Sequence, residues 1–127
     1  MKNVVIVVDD SDLIINVMTK ALEDEYEVVS AKNGREALDK VSEYRERAVC
    51  MLLDLNMPVY DGFTVLNYFK TYNMFKRIPV FIISGDNTKE TIDRAFTYDI
   101  VDMLNKPFSM DNIKGAVKRA INLSSEK

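Results

Sequence analysis

Asp54 is a carboxylate at the end of an unbroken apolar run, Ala48 to Leu53, and the turn-forming residues Asn56, Pro58, Asp61 and Gly62 follow it. Such a run reads as a strand buried on both faces, as in a parallel sheet between helix layers. The acid then lies at the carboxyl edge of the sheet, where open α/β sheets form their ligand crevice. Other strand ends supply matching chemistry: Asp9 and Asp10 after Val8, Ser84 closing the run from Pro79, and Lys106 after the short, weaker strand that ends at Asn105. Carboxylates brought together repel, and each raises the others' pKa unless a cation lies among them. Magnesium answers that need, because it takes oxygen ligands in an octahedron, keeps several waters and combines carboxylates with phosphate oxygens. Lys106 supplies a point charge and Ser84 a hydroxyl donor, both suited to phosphoryl oxygens. In that company Asp54 is a candidate phosphoryl acceptor.

The elements that must hold these residues are legible in order. Asn3 to Val8 is continuous and β-branched, a central strand ended by Asp9-Asp10-Ser11-Asp12. A helix follows whose apolar stripe is expected at Leu13, Ile14, Val17, Met18, Ala21 and Leu22. Glu27 to Ala31 is a short second strand, and Asn33-Gly34 opens a helix striped by Ala37, Leu38, Val41 and Tyr44. After the third strand, Gly62 leads into a helix from Phe63 to Tyr72, facing inward through Phe63, Leu66 and Phe69 or through Val65 and Tyr68. Pro79 to Ser84 is the fourth strand, with proline at its first residue, where a missing N–H is tolerated. Asn87-Thr88 caps a helix carrying Ile92, Ala95 and Phe96, and Asp102 to Asn105 is a short fifth strand stopped by Lys106-Pro107. Ile113, Val117, Ala120 and Ile121 mark a last amphipathic helix, expected to end at Ser124-Ser125-Glu126-Lys127. Strands that each precede a helix across short connections favour a doubly wound α/β fold with a parallel sheet.

Composition narrows the function classes. A chain of 127 residues with 47% hydrophobic and 29% charged residues is that of one globular domain, residues 1–127. A net charge of -3 gives no general attraction to nucleic acid or anionic membrane, so neither partner is expected. The one cysteine, Cys50, lies in the third apolar run and reads as core. No basic leader and no run near ~18 apolar residues is present, which points to the cytoplasm. The chain has no histidine, so any phosphohistidine donor is external.

Taken together, Val7-Val8-Asp9-Asp10, Leu53-Asp54-Leu55-Asn56-Met57-Pro58, Asp61-Gly62, Ile83-Ser84-Gly85 and Lys106-Pro107-Phe108 resemble the receiver domain of two-component response regulators, including the small chemotaxis regulators. Each motif alone is weak: Asp9-Asp10-Ser11 would pass for a helix cap, Ser84-Gly85 for a loop start and Lys106 for a solvated charge. Their joint order is specific and covers about Asn3 to Asn122. The resemblance implies a flavodoxin-like sheet of five strands in the order 2-1-3-4-5 with five helices. It implies that Asp54 accepts phosphate from a histidine kinase or histidine phosphotransfer protein. Asp10, Asp54 and the Asn56 carbonyl would bind Mg2+, Asp9 would bind through water or tune the site, and Ser84 and Lys106 would hold the phosphoryl oxygens. Such a chain is a switch rather than an enzyme, catalysing only its own phosphoryl transfer and slow dephosphorylation. Its output goes to a partner protein or effector domain, or to a homodimer through the face of helix 4, strand 5 and helix 5, near Ile92, Met103 and Val117.

The resemblance also implies a cis Lys106–Pro107 bond, and Asn56 and Asp86 flank the acceptor as candidates for orienting an attacking water, with a phosphoryl lifetime of minutes. The chain departs from the pattern at the switch: Asp99-Ile100 replaces the usual Gly-Ala pair, and Met103 stands where a Tyr or Phe is common. A haloacid-dehalogenase-type phosphatase is a rival, but that family places a second Asp where this chain has Asn56, and no residues remain for a cap domain. A flavodoxin-like cofactor binder is disfavoured by only 4 glycines. A receiver fold used as a phosphorylation-independent interaction module is disfavoured by the complete set Asp9, Asp10, Asp54, Ser84 and Lys106.

Overall fold

The computed structural model describes residues 2–125. Five strands and five helices alternate: β1 (Val4–Val8), α1 (Asp12–Leu22), β2 (Glu27–Ala31), α2 (Gly34–Tyr44), β3 (Ala48–Asp54), α3 (Gly62–Thr71), β4 (Val80–Ser84), α4 (Lys89–Ala95), β5 (Asp102–Asn105) and α5 (Met110–Ser125). The sheet is parallel throughout in the order β2-β1-β3-β4-β5, the expected flavodoxin-like arrangement. In this order β1 and β3 are neighbours, so the strand ends carrying Asp9 and Asp54 lie side by side.

Alternation along the strands divides the core into two layers. Ile6, Val8, Met51, Leu53, Val80 and Ile82 face α2, α3 and α4. Val5, Val7, Cys50, Leu52, Phe81 and Ile83 face α1 and α5. Burial pushes the Cys50 thiol up to about 12, so it stays protonated as a core group. No helix among the described residues is long and apolar enough to cross a membrane.

Three helix readings need correction. In α1 the buried residues are Ile15, Met18, Ala21 and Leu22, whereas Leu13 is 71% exposed and Ile14 and Val17 are half-buried. Apolar residues fill two adjacent stripes of this helix, and periodicity alone does not say which one the sheet covers. In α4, a helix of seven residues, Ala95 is buried, Ile92 half-buried and Phe96 exposed. Phe96 is the C-cap, just past the covered turn. In α5 the helix continues through Ser124 and Ser125, and Glu126 and Lys127 lie outside the described residues. Its Val117 is fully buried against the sheet and does not belong to an outer face with Ile92 and Met103. In α3 the inward residues are Phe63, Val65, Leu66 and Phe69, with Tyr68 exposed.

Candidate functional site

Each site residue is held by local backbone chemistry. The Asp9 N–H bonds the Ala31 carbonyl at 3.0 Å, extending the β1–β2 ladder, and its Oδ1 accepts the Ser11 N–H at 3.0 Å. Ser11 caps α1, its Oγ accepting the Ile14 N–H, so the helix-cap reading of this segment and a site role coexist. Asp54 closes β3, and its Oδ1 accepts the Asn56 N–H at 3.3 Å. Asp9 and Asp54 are buried and Asp10 is exposed, and one carboxylate oxygen of each lies within 4.8 Å of the others. Lys106 follows β5, its N–H bonded to the Ser84 carbonyl at 2.9 Å, and the Lys106–Pro107 bond is cis as expected. Its ammonium lies 2.7 Å from Asp9 Oδ2 and 3.5 Å from Asp54 Oδ2.

The charges do not balance. Three carboxylates face one ammonium. Burial, followed by the Asp9 charge, pushes the Asp54 carboxyl up to about 6, although Lys106 and the Asn56 N–H oppose the shift. Burial by itself would lower the Lys106 pKa, but its bonds to Asp9 and Asp54 outweigh that effect and raise it. The donor set is all oxygen, and ligands around an octahedral magnesium lie roughly 3–4 Å apart at Mg–O distances of ~2.1 Å. Asp9, Asp10 and Asp54 therefore fit a hard divalent cation after small side-chain adjustments.

The loop after Asp54 is packed at two glycines. A Cβ on Gly62 would come 2.5 Å from the Asp54 carbonyl oxygen, and one on Gly34 would come 2.2 Å from the Tyr60 carbonyl oxygen. Hydrogen bonds from Gly62 N–H to the Leu55 carbonyl and from Gly34 N–H to the Tyr60 carbonyl close these contacts at 3.0 and 2.7 Å. Val59 and Tyr60 adopt φ of 48° and 54°, a left-handed conformation that costs side-chain-bearing residues of order 1–3 kcal/mol each. Asp61-Gly62 and Asn33-Gly34 are visible in the sequence as helix starts, but the anchoring of the Asp54 loop on Gly34 is a contact between distant residues that no local pattern marks.

Ser84 is fully buried; its Oγ accepts the Asp86 N–H at 3.0 Å and donates to the Asp86 carbonyl at 3.3 Å. The Asp86 carboxylate braces the first turn of α4. Its Oδ1 accepts the Thr88 N–H and its Oδ2 the Thr91 hydroxyl, and these bonds lower its pKa. The Asn56 side chain is exposed. Met103 is half-buried on the α2, α3 and α4 side of the sheet, opposite Ile82 in the ladder.

The chain belongs to the response regulator receiver domain family of two-component signalling, whose sequence model matches residues 5–118. Among similar proteins, "Sensor histidine kinase CheAY" of Helicobacter pylori is 27% identical over 98% of this chain and 16% of its own length. "Putative response regulator NtrX-like" of Rickettsia typhi is 34% identical over 97% of this chain and 26% of its own length. The chain thus spans only 16% and 26% of the length of these relatives. The solved structure of chemotaxis response regulator CheY4 of Vibrio cholerae superposes with a TM-score of 0.82 at 28% identity, covering 94% of this chain and 99% of that one.

Proposed function

We propose that this receiver domain is a phosphorylation-controlled switch in which Asp54 takes a phosphoryl group from a phosphohistidine of a histidine kinase or phosphotransfer protein. The observation that carries this reading is the buried Asp54 carboxylate with the Asp9 and Asp10 oxygens within 4.8 Å and the Lys106 ammonium beside it. A carboxylate oxygen of Asp54 attacks phosphorus; the P–N bond breaks with its electrons passing to the partner's imidazole, and a P–O bond forms to Asp54. Asp10, Asp54 and the Asn56 carbonyl would hold Mg2+, with Asp9 acting through water. Bound there, the cation supplies neutralisation of charge on the phosphoryl oxygens. Lys106 pairs with a phosphoryl oxygen, and the Ser84 hydroxyl donates to another. Later attack of water on phosphorus releases inorganic phosphate and restores the carboxylate. The chain turns over no separate substrate and is not an enzyme in that sense. Its output is a change in binding to a partner or effector, or in homodimer formation, through the α4, β5 and α5 side. A phosphorylation-independent module has no use for two buried carboxylates, Asp9 and Asp54, set beside a third acid with one ammonium among them.

Mass spectrometry after incubation with Mg2+ and acetyl phosphate tests the reading. One phosphoryl group on the peptide containing Asp54 is expected, lost in Asp54→Asn and in excess chelator. The same labelled peptide in Asp54→Asn would overturn the assignment.

A further inference from the structure

On the reading of Asp54 and the Asn56 carbonyl as Mg2+ ligands, we infer that Gly34, at the start of α2, is a positioning residue for the cation. Through the Tyr60 carbonyl it clamps the loop that carries the Asn56 carbonyl, and so couples Mg2+ binding to the first turn of α2.

The loop from Asp54 to Gly62 is held at its two ends by different means. Near the acceptor, Leu55 and Met57 put their side chains into the core, and Asn56 between them gives its N–H to Asp54 Oδ1 at 3.3 Å. The far end has no such burial: Val59 is 64% exposed and Tyr60 53% exposed. Both nevertheless hold a left-handed backbone, with φ of 48° and 54°. For a β-branched residue such as Val59 that conformation is an outlier, and strain of this kind persists only where the surroundings impose it. Side-chain burial does not offset it here, so backbone contacts must. The Tyr60 carbonyl accepts the Gly34 N–H at 2.7 Å, and the Gly62 N–H bonds back to the Leu55 carbonyl at 3.0 Å.

Gly34 suits this hold because it carries no side chain. A Cβ there would meet the Tyr60 carbonyl oxygen at 2.2 Å, its carbonyl carbon at 2.9 Å and the Tyr60 Cβ at 2.9 Å, all closer than real contacts allow. On the other side of the contact, Gly34 is buried at a capped helix end: Asn33 accepts the Glu36 N–H at 2.9 Å and donates to Glu36 Oε2 at 3.1 Å. Residues with side chains have only a small left-handed region. Val59 and Tyr60 therefore do not absorb a displaced carbonyl by local rotation but pass the displacement along the chain toward Asn56. Tyr60→Gly would absorb it. An octahedral magnesium tolerates little error in the position of a ligand, which makes its affinity the sensitive readout.

NMR titration with MgCl2 of the native chain, Gly34→Ala, the double variant Gly34→Ala with Tyr60→Gly, and Val41→Ala tests this, with amide exchange at Gly34 and Ala37 read in the native chain with and without Mg2+. Gly34→Ala should weaken Mg2+ binding roughly 10-fold or more, the scale of outer-shell supports at metal sites. Adding Tyr60→Gly should bring the affinity back to within about threefold of the native value, because the freed peptide turns locally. Val41→Ala, which opens a cavity under α2, should lower the urea midpoint and leave Mg2+ affinity unchanged. By reciprocity the cation should slow Gly34 amide exchange about 5-fold or more, while the Ala37 N–H, bonded to the Asn33 carbonyl in the same turn, keeps its rate. Native affinity in Gly34→Ala, no recovery in the double variant, an equal loss in Val41→Ala, or Gly34 exchange that ignores the cation overturns the inference. The exchange measurement decides the matter on the native chain should Gly34→Ala fail to fold. A native chain in which Mg2+ leaves the Asp9, Asp10 and Asp54 signals unmoved overturns the metal reading itself, and this inference with it.

Discussion

The helices α4 and α5 follow adjacent strands and are built in opposite ways. The 16-residue α5 buries Ile113, Ala116, Val117 and Ala120 at 5% exposure or less, and its inner face joins the core shared with α1. The seven-residue α4 buries only Ala95. The two sides also carry different parts of the site: Lys106 stands on the connection into α5, and Ser84 is the last residue of β4, ahead of α4. The permanent countercharge is thus tied to the well-packed side, and the hydroxyl that can change partners to the thinly packed one. Stability is not uniform across a fold, and elements that move are drawn from its weakly buried parts.

The strongest way to break this contrast is to truncate equivalent side chains. Ile113→Ala should cost about 2–4 kcal/mol of unfolding free energy, because it leaves a cavity in a closed layer. Ile92→Ala on α4 should cost less than about 1 kcal/mol, since its half-buried side chain loses little burial. Urea denaturation measures both, and equal costs would show that α4 is as firmly held as α5.

Next in size is the electrostatic cost stored at Asp54. Its folded pKa of about 6 lies above the usual value of ~3.9 for an unfolded chain. The folded state therefore binds the proton more tightly. Asp54 imposes no penalty below the unfolded value, loses stability as pH rises through the folded one, and carries the full penalty above about 6. Asp54→Asn should accordingly stabilise the chain by about 1–3 kcal/mol at neutral pH, with the gain vanishing in acid below pH ~4. A gain that persists unchanged into acid would assign the effect to packing instead. Mg2+ should relieve the same repulsion: at roughly ten times its dissociation constant it adds about 1.4 kcal/mol to the native chain. Thermal unfolding with and without chelator should show this shift, reduced in Asp10→Asn. A full shift in that variant would remove Asp10 from the cation's ligands.

The strand ends were readable because a doubly buried strand is a continuous apolar run, and a polar residue that stops it marks the sheet edge. Asp9, Asp10, Asp54 and Ser84 are legible that way; Lys106 follows a short, half-buried strand of mixed polarity and is legible by its Lys106-Pro107 stop, and all five lie at the carboxyl edge. What escaped was set by tertiary contact. Leu13 and Ile15 point to opposite sides of α1, and apolar residues fill the arc between them, so only the position of the sheet decides which end of that arc is buried. Asp86 reads from sequence as a polar neighbour of the acceptor, yet its oxygens are taken by Thr88 and Thr91. Nothing in the spacing of Tyr98 and Asn67, or of Gly34 and Tyr60, announces that they meet.

The smallest expected effect sharpens the contrast between the two sides at β5 itself. Met103 shares its sheet face with Ile82 and packs half-buried toward the α4 side, where the family often has an aromatic ring. A thioether on three rotatable bonds fills irregular space and has no hydroxyl to anchor outside, so it defines two discrete positions less sharply than a tyrosine. Modification shifts an equilibrium only by its differential interaction with the two states, and a blurred follower leaves more of the active state in the unphosphorylated chain. Met103→Tyr should therefore lower partner binding or dimerisation of the unphosphorylated chain and raise the phosphorylated-to-unphosphorylated ratio by a few-fold, about 0.7 kcal/mol for a threefold change. Comparing both states of both chains by sedimentation or titration with the output partner reads this ratio directly. A native chain that switches as steeply as the tyrosine variant would reduce Met103 to packing.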